Sequence, residues 1–206
     1  MQNLQKNFRI ENQTPFDRIS YRGFLCCQTT GFWEPFYTLF EKENIDNVID
    51  IGTCQGGTTF FVNDLVKLKC KNSYTMTVDI NGFPWMNFMT EFGIDFRQDD
   101  ADTEGGLLCS IIQETVQKRG KTLVICDGGS KINEVIIYSK LIKSGDIIIC
   151  HDYSENREDF EKNVNGKVWN WCEITYQDIS PVHHLLDRHA LYHEFRNKVW
   201  GCFIKK

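Results

Sequence analysis

The chain alternates short apolar runs with longer segments whose apolar positions recur at helical spacing. Asn47–Ile51, Tyr74–Val78, Asp95–Gln98, Thr122–Cys126 and Asp146–Cys150 read as strands; Thr58–Leu68, Trp85–Glu91, Leu107–Lys118 and Asn133–Lys143 read as the helices between them. Strands joined through helices imply right-handed crossovers, and so a mostly parallel sheet with helices on both faces: a Rossmann-like, three-layer α/β sandwich. Ahead of the first strand, Trp33, Phe36, Tyr37 and Phe40 form a helical stripe, which predicts a core-packing helix that can also wall a pocket. The polar residues before it are expected to be loose. Beyond the alternation, Val168–Thr175 and Val199–Lys205 predict a last strand pair, partly antiparallel, closing the sheet edge. The whole reads as one domain, 1–206, with a helical extension over 1–45 and a His-rich insertion over 178–197 before the last strand.

Composition narrows the partners. The 206 residues are 41% hydrophobic and 25% charged with a net charge of −5, which suits a single sizeable core and argues against binding a phosphate backbone. No apolar run approaches the roughly 20 residues that span a bilayer, and the first residues lack the pattern of a secretory signal. Nine cysteines, an odd number with no Cys-x-x-Cys pair, argue against a disulfide framework or a structural zinc site and read as reduced thiols of a cytoplasmic protein.

The strongest local signal is Asp50-Ile51-Gly52-Thr53-Cys54-Gln55-Gly56-Gly57-Thr58, a strand end, a glycine turn and a helix start. Glycine permits positive φ and close approach, and a helix N-terminus offers free N–H groups. A P-loop would place lysine where Thr58 stands, and a dinucleotide turn needs glycine where Cys54 stands, so both phosphate-chain readings fail. The remaining pattern, Asp-x-Gly-x-x-x-Gly-Gly, resembles motif I of class I S-adenosylmethionine (SAM)-dependent methyltransferases. On that resemblance Asp50, Gly52, Thr53, Gly56, Gly57 and Thr58 line the cofactor, Asp79 at the end of the second strand accepts the ribose hydroxyls, and Asp100, before Ala101, lies near the adenine amine.

Two later strands also end in polar residues: Cys126-Asp127-Gly128-Gly129-Ser130-Lys131 and Cys150-His151-Asp152-Tyr153. In an open parallel sheet, ligands bind beyond the carboxyl ends of the strands. If the first, fourth and fifth strands are neighbours, Asp127, His151 and Asp152 converge beside the glycine turn. From Asn47 to Tyr153 the chain resembles a group that includes macrocin-type sugar O-methyltransferases, catechol O-methyltransferase and cephalosporin hydroxylase-like proteins. In metal-dependent members of that group Asp127 and the pair His151-Asp152 would ligate a divalent cation such as Mg²⁺. An imidazole there departs from the usual carboxylate pair and suits a softer metal, or a general base. Lys131 is a second candidate base, and Tyr153 orients substrate or packs. Asp127 is also expected to touch the cofactor.

Four of the five histidines fall between Pro181 and Glu194. His189 and His193 are one helical turn apart, but Ala190 stands where a His-Glu-x-x-His protease needs glutamate, so a shield over the substrate mouth, with His183 or His184 facing the acceptor, is the better reading. Trp169, Trp171 and Trp200 are expected to pack the last strands. Together these features predict SAM-dependent O-methylation of a small-molecule or sugar hydroxyl. Two alternatives remain open: a metal-dependent hydroxylase or hydrolase using the Asp/His cluster, and a non-catalytic SAM-binding module.

Overall fold

The computed structural model describes residues 2–12, 18–84, 86–101 and 106–206. In chain order these give α1 (Gln2–Gln5), β1 (Phe8–Glu11), β2 (Arg18–Tyr21), β3 (Phe24–Leu25), α2 (Trp33–Lys42), β4 (Ile45–Ile51), α3 (Gly57–Lys69), β5 (Tyr74–Asp79) and α4 (Met86–Glu91). They continue with β6 (Ile94–Gln98), α5 (Leu107–Val116), β7 (Lys121–Cys126), α6 (Lys131–Leu141), β8 (Ile147–Cys150), β9 (Tyr153–Ser154), α7 (Arg157–Asp159), β10 (Ile174–Thr175), β11 (Leu186–Arg188), α8 (Tyr192–Arg196) and β12 (Gly201–Lys205). The predicted strand–helix alternation between residues 45 and 150 is present throughout; of the helix expected over Trp85–Glu91, Trp85 lies outside the described residues.

The central sheet has seven strands in the order β11-β12-β8-β7-β4-β5-β6. The five from β8 to β6 are parallel, and β12 and β11 add antiparallel pairings at one edge. The central strands are apolar at nearly every position because both faces are covered. Side chains alternate between the two cores: Val48, Leu123, Ile125, Ile147 and Ile149 pack into one with α2 and α3, and Ile49, Val124, Cys126, Ile148 and Cys150 into the other with α6. This is a methyltransferase-like α/β fold. Among the described residues no helix is long and apolar enough to cross a membrane.

Both ends of the chain differ from expectation. Part of the expected helical extension is a three-stranded antiparallel sheet, β1-β2-β3, which lays Phe8 and Tyr21 against Phe61 of α3. Aromatic contact at T-shaped geometry holds it there. At the other end, β12 pairs with β11 from inside the His-rich segment, not with residues 168–175. Of that predicted strand only β10 forms, and it pairs parallel with β9 in a separate two-stranded sheet. The His-rich segment is a 3₁₀ stretch (Gln177–Leu185), an edge strand and a short helix.

Chain order reverses between β4 and β7: the chain runs outward from β4 through β5 to β6, then returns to β7 on the other side. Open α/β sheets bind ligands at such a point.

Candidate active site

Gly52 leaves β4 at φ +94°, and a Cβ there would lie 2.1 Å from the Asp127 carbonyl oxygen, so glycine is required for the β4 and β7 ends to meet. The Cys54 amide donates to Asp79 Oδ2 at 2.8 Å, tying the turn to the end of β5. The other Asp79 oxygen accepts from the Asn81 amide at 2.8 Å. Around this junction opens a crevice of about 450 Å³, lined by Gly52, Cys54, Asp79, Asp100, Asp127 and Glu134 among others.

The remaining turn residues do other work. Asp50 is 2% exposed, behind the turn, where its Oδ2 accepts hydroxyl hydrogen bonds from Thr59 (2.5 Å) and Thr77 (3.3 Å). Burial, aided by the nearby Asp127 and Asp79 charges, pushes its carboxyl up to about 7 despite those bonds. Thr53 is buried and bonded to Thr77 at 2.6 Å. A Cβ on Gly57 would meet the Phe24 and Leu25 carbonyl oxygens at 2.4 and 2.5 Å, and Thr58 donates to the Cys26 carbonyl. The close approach that Gly57 allows is therefore that of the chain's own β3, and Gly56, with φ 83°, precedes the first turn of α3. Gly56 and Gly57 line neither cavity; Thr53 and Thr58 line a second one, as follows.

That second cavity, about 250 Å³, is lined by Cys27, Thr53, Thr58, His151, Asp152, Trp169, Trp171 and Glu173, and it shares Gly52, Cys54 and Asp127 with the first. These three residues are the partition between them. As expected for neighbouring β4, β7 and β8, Asp127, His151 and Asp152 converge: potential ligand atoms from the three lie within 4.8 Å of one another. His151 Nδ1 is 3.1 Å from Asp127 Oδ1 and 3.5 Å from Asp152 Oδ1, its ring tilted by 38° against the buried Trp200 with centroids 4.6 Å apart. Burial alone would lower the imidazole pKa; the two carboxylates outweigh it and the net shift is upward. Burial would raise the Asp152 carboxyl, but His151, Lys131 and the Trp169 indole N–H (2.5 Å) hold it below its usual value.

Lys131, considered from sequence as a base, is 6% exposed and sits among carboxylates, 3.1 Å from Asp152, 3.7 Å from Asp127 and 2.8 Å from Glu173. Burial disfavours its charge, yet those three neighbours raise its pKa overall. These surroundings favour its charged form.

Several residues at the site carry no sequence signal. Gln28 donates to Asp127 Oδ2 at 2.8 Å, and Glu173 meets Lys131 from the tail, whose amides at 173 and 174 bond the Asp152 carbonyl. Buried Glu134 accepts from the Gly128 and Ser130 amides ahead of α6. Trp171, expected to pack, is 53% exposed at the cavity mouth beside Trp169.

The histidines of the tail stay away from both cavities. His189 is buried, its Nε2 3.2 Å from Glu43 and its Nδ1 accepting from the Leu191 amide; His193 is exposed. His183 stacks on Tyr176, His184 is exposed, and neither lines the second cavity. Tyr153 packs, with its hydroxyl 2.6 Å from that of Tyr192.

The donor set of Asp127, His151 and Asp152 fits a divalent cation in type and spacing, with Lys131 competing for both carboxylates.

No family model matches the chain, and no curated protein sequence is similar to it. Solved structures are. The fold is similar to that of CmcI in its apo form (12% identity, 90% of this chain and 75% of that chain, TM-score 0.64). It is equally similar to CmcI with Mg and SAM (12% identity, 91% and 76%, TM-score 0.62). A Staphylococcus aureus protein assigned as a caffeoyl-CoA O-methyltransferase follows (12% identity, 84% and 82%, TM-score 0.53). At such identities the likeness establishes the fold alone, and the crevice described above lies at its switch point.

Proposed function

We propose that the chain is a SAM-dependent methyltransferase acting on an oxygen of a small polar acceptor. One observation carries the reading: a cofactor-sized crevice at the switch point adjoins, across Gly52, Cys54 and Asp127, a smaller cavity holding carboxylates, an imidazole and an exposed indole. The CmcI structure that contains Mg and SAM has the same fold, which supports it. Asp79 would accept the ribose hydroxyls and Asp100 would lie toward the adenine. Motif residues Asp50, Gly56, Gly57 and Thr58 would shape the turn without touching the ligand.

A sulfonium methyl is already activated, so the protein's main task is alignment of nucleophile, carbon and leaving sulfur. Asp127 would sit at the partition with His151 and Asp152 on the acceptor side, and the hydroxyl proton would pass to this carboxylate–imidazole cluster. Lys131 would keep the Asp152 carboxylate ionised and pair with Asp127. A divalent cation, when bound to Asp127, His151 and Asp152, would lower the pKa of the acceptor hydroxyl. Trp171 beside Glu173 and Asp152 favours a sugar ring, whose C–H face stacks on indole while its hydroxyls meet carboxylates.

Calorimetry with SAM and S-adenosylhomocysteine, with EDTA and with added Mg²⁺, tests the cofactor; turnover over a panel of sugars and phenols tests the acceptor. No binding under any condition would overturn the reading. Binding with no turnover, unaffected by Asp152→Ala, would leave a binding module in its place.

A further inference from the structure

Two thiols stand at the partition between the cavities. Cys27 follows β3, and Cys54 lies in the turn after β4; their Sγ atoms are 3.8 Å apart and both residues are exposed. Cys54 lines both cavities and Cys27 the smaller one. Each has its backbone in the left-handed region, φ 52° at Cys27 and 46° at Cys54, which non-glycine residues adopt rarely and mostly where the fold requires it. Five of the other seven thiols, Cys26, Cys109, Cys126, Cys150 and Cys202, are buried.

We propose that Cys27 and Cys54 form a redox-responsive dithiol that a peroxide converts to a disulfide in the wall between the two cavities, weakening the hold on the cofactor. The Sγ atoms need to approach by roughly 2 Å to reach bonding distance. The chemistry suits the pair: the contact with Cys27 outweighs burial and brings the Cys54 thiol down to about 7, while the same contact and burial push Cys27 up. Cys54 is thus the more readily ionised thiol and Cys27 the resolving one. The Cys54 sulfur attacks one oxygen of hydrogen peroxide, the O–O bond breaks, hydroxide leaves, and a sulfenic acid remains. The Cys27 sulfur then attacks the Cys54 sulfur, and its proton leaves with the sulfenic hydroxyl as water. One peroxide is reduced to two waters for each disulfide formed.

The link would reach the cofactor, because both cysteines adjoin groups that hold the site. The Cys54 amide bonds Asp79, and Gln28, next to Cys27, bonds Asp127. Drawing the sulfurs together strains both contacts. This consequence rests on the proposed function; the dithiol itself does not.

The test treats reduced full-length protein with one equivalent of hydrogen peroxide at pH 7.5, blocks with N-ethylmaleimide, digests, and identifies linked peptides by mass spectrometry. A Cys27–Cys54 link is expected as the main product, absent in Cys27→Ser although Cys26 is intact. No link, or a link through Cys26, overturns the dithiol. Calorimetry then compares S-adenosylhomocysteine affinity before and after oxidation: a loss of tenfold or more, reversed by dithiothreitol, is expected. Equal affinity overturns the coupling to the cofactor. If even the reduced protein binds no S-adenosylhomocysteine, the functional reading fails and the coupling with it, while the mass spectrum still decides the dithiol.

Discussion

The turn after β4 and the cluster beyond β7 and β8 share a wall, yet they are built by different means. The turn is a backbone construction from one short stretch, in which Gly52, the Cys54 amide, Asp79 and the Asp50–Thr59–Thr77 hydrogen bonds all come from residues 50–79. The cluster is a charge construction from distant stretches: Asp127 and Lys131, His151 and Asp152, then Gln28 from the N-terminal segment and Trp169 and Glu173 from the tail. The first depends on where the chain can go. The second depends on which charges face each other.

Five substitutions probe this contrast. Gly52→Ala brings a Cβ to 2.1 Å from a backbone oxygen at φ +94°, where neither partner can yield. A loss above about 4 kcal/mol in urea unfolding, or no folded protein, is expected from strain and overpacking together. Near-native stability would mean that the shared wall is not rigid.

Asp50 tests the turn through pH. Its carboxyl, with a usual value of 3.8, is held up at about 7 in the folded chain, so the folded state binds the proton more tightly. That contribution is complete below 3.8 and is lost as pH rises through 7. It amounts to a change on the order of 4 kcal/mol across the window. Asp50→Asn should flatten the stability profile between pH 4 and 7.5; an unchanged slope would place its origin elsewhere.

Asp79→Ala and Asp152→Asn form a matched pair. Removing the charge-assisted bonds of Asp79 should weaken S-adenosylhomocysteine binding about tenfold to hundredfold. Asp152→Asn should leave that affinity within about twofold while turnover falls at least as far, since it lines only the acceptor cavity. Equal loss of affinity in both variants would show that the two regions act as one. The smallest effect is expected from Trp171→Ala: a fivefold or so rise in KM for the acceptor, roughly 1 kcal/mol of stacking, with cofactor affinity unchanged. A change in cofactor affinity would place the indole on the wrong side of the partition.

What could be read from the chain alone follows the same division. The parallel sheet from β4 to β8, the glycine turn, and Asp79, Asp127, His151 and Asp152 as strand-end residues were all legible, because apolar period, glycine position and strand ends are local properties. The edge strand β11 was not, because Leu186–Arg188 is short and sits among histidines and charges, and only pairing with β12 makes it a strand. Nor was the fate of Gly57, where the close approach comes from the chain's own β3.

Sequence by itself determined the alternation, the reversal loop that could hold a ligand and the polar residues offered at the strand ends. Tertiary structure alone decided that Lys131 is a buried cation clasped by three carboxylates, that Gln28 and Glu173 reach the site, and that Cys27 meets Cys54. The reason is physical. Backbone periodicity is set by neighbours along the chain, whereas the protonation and partners of a side chain are set by charges and burial that arrive from far away in it.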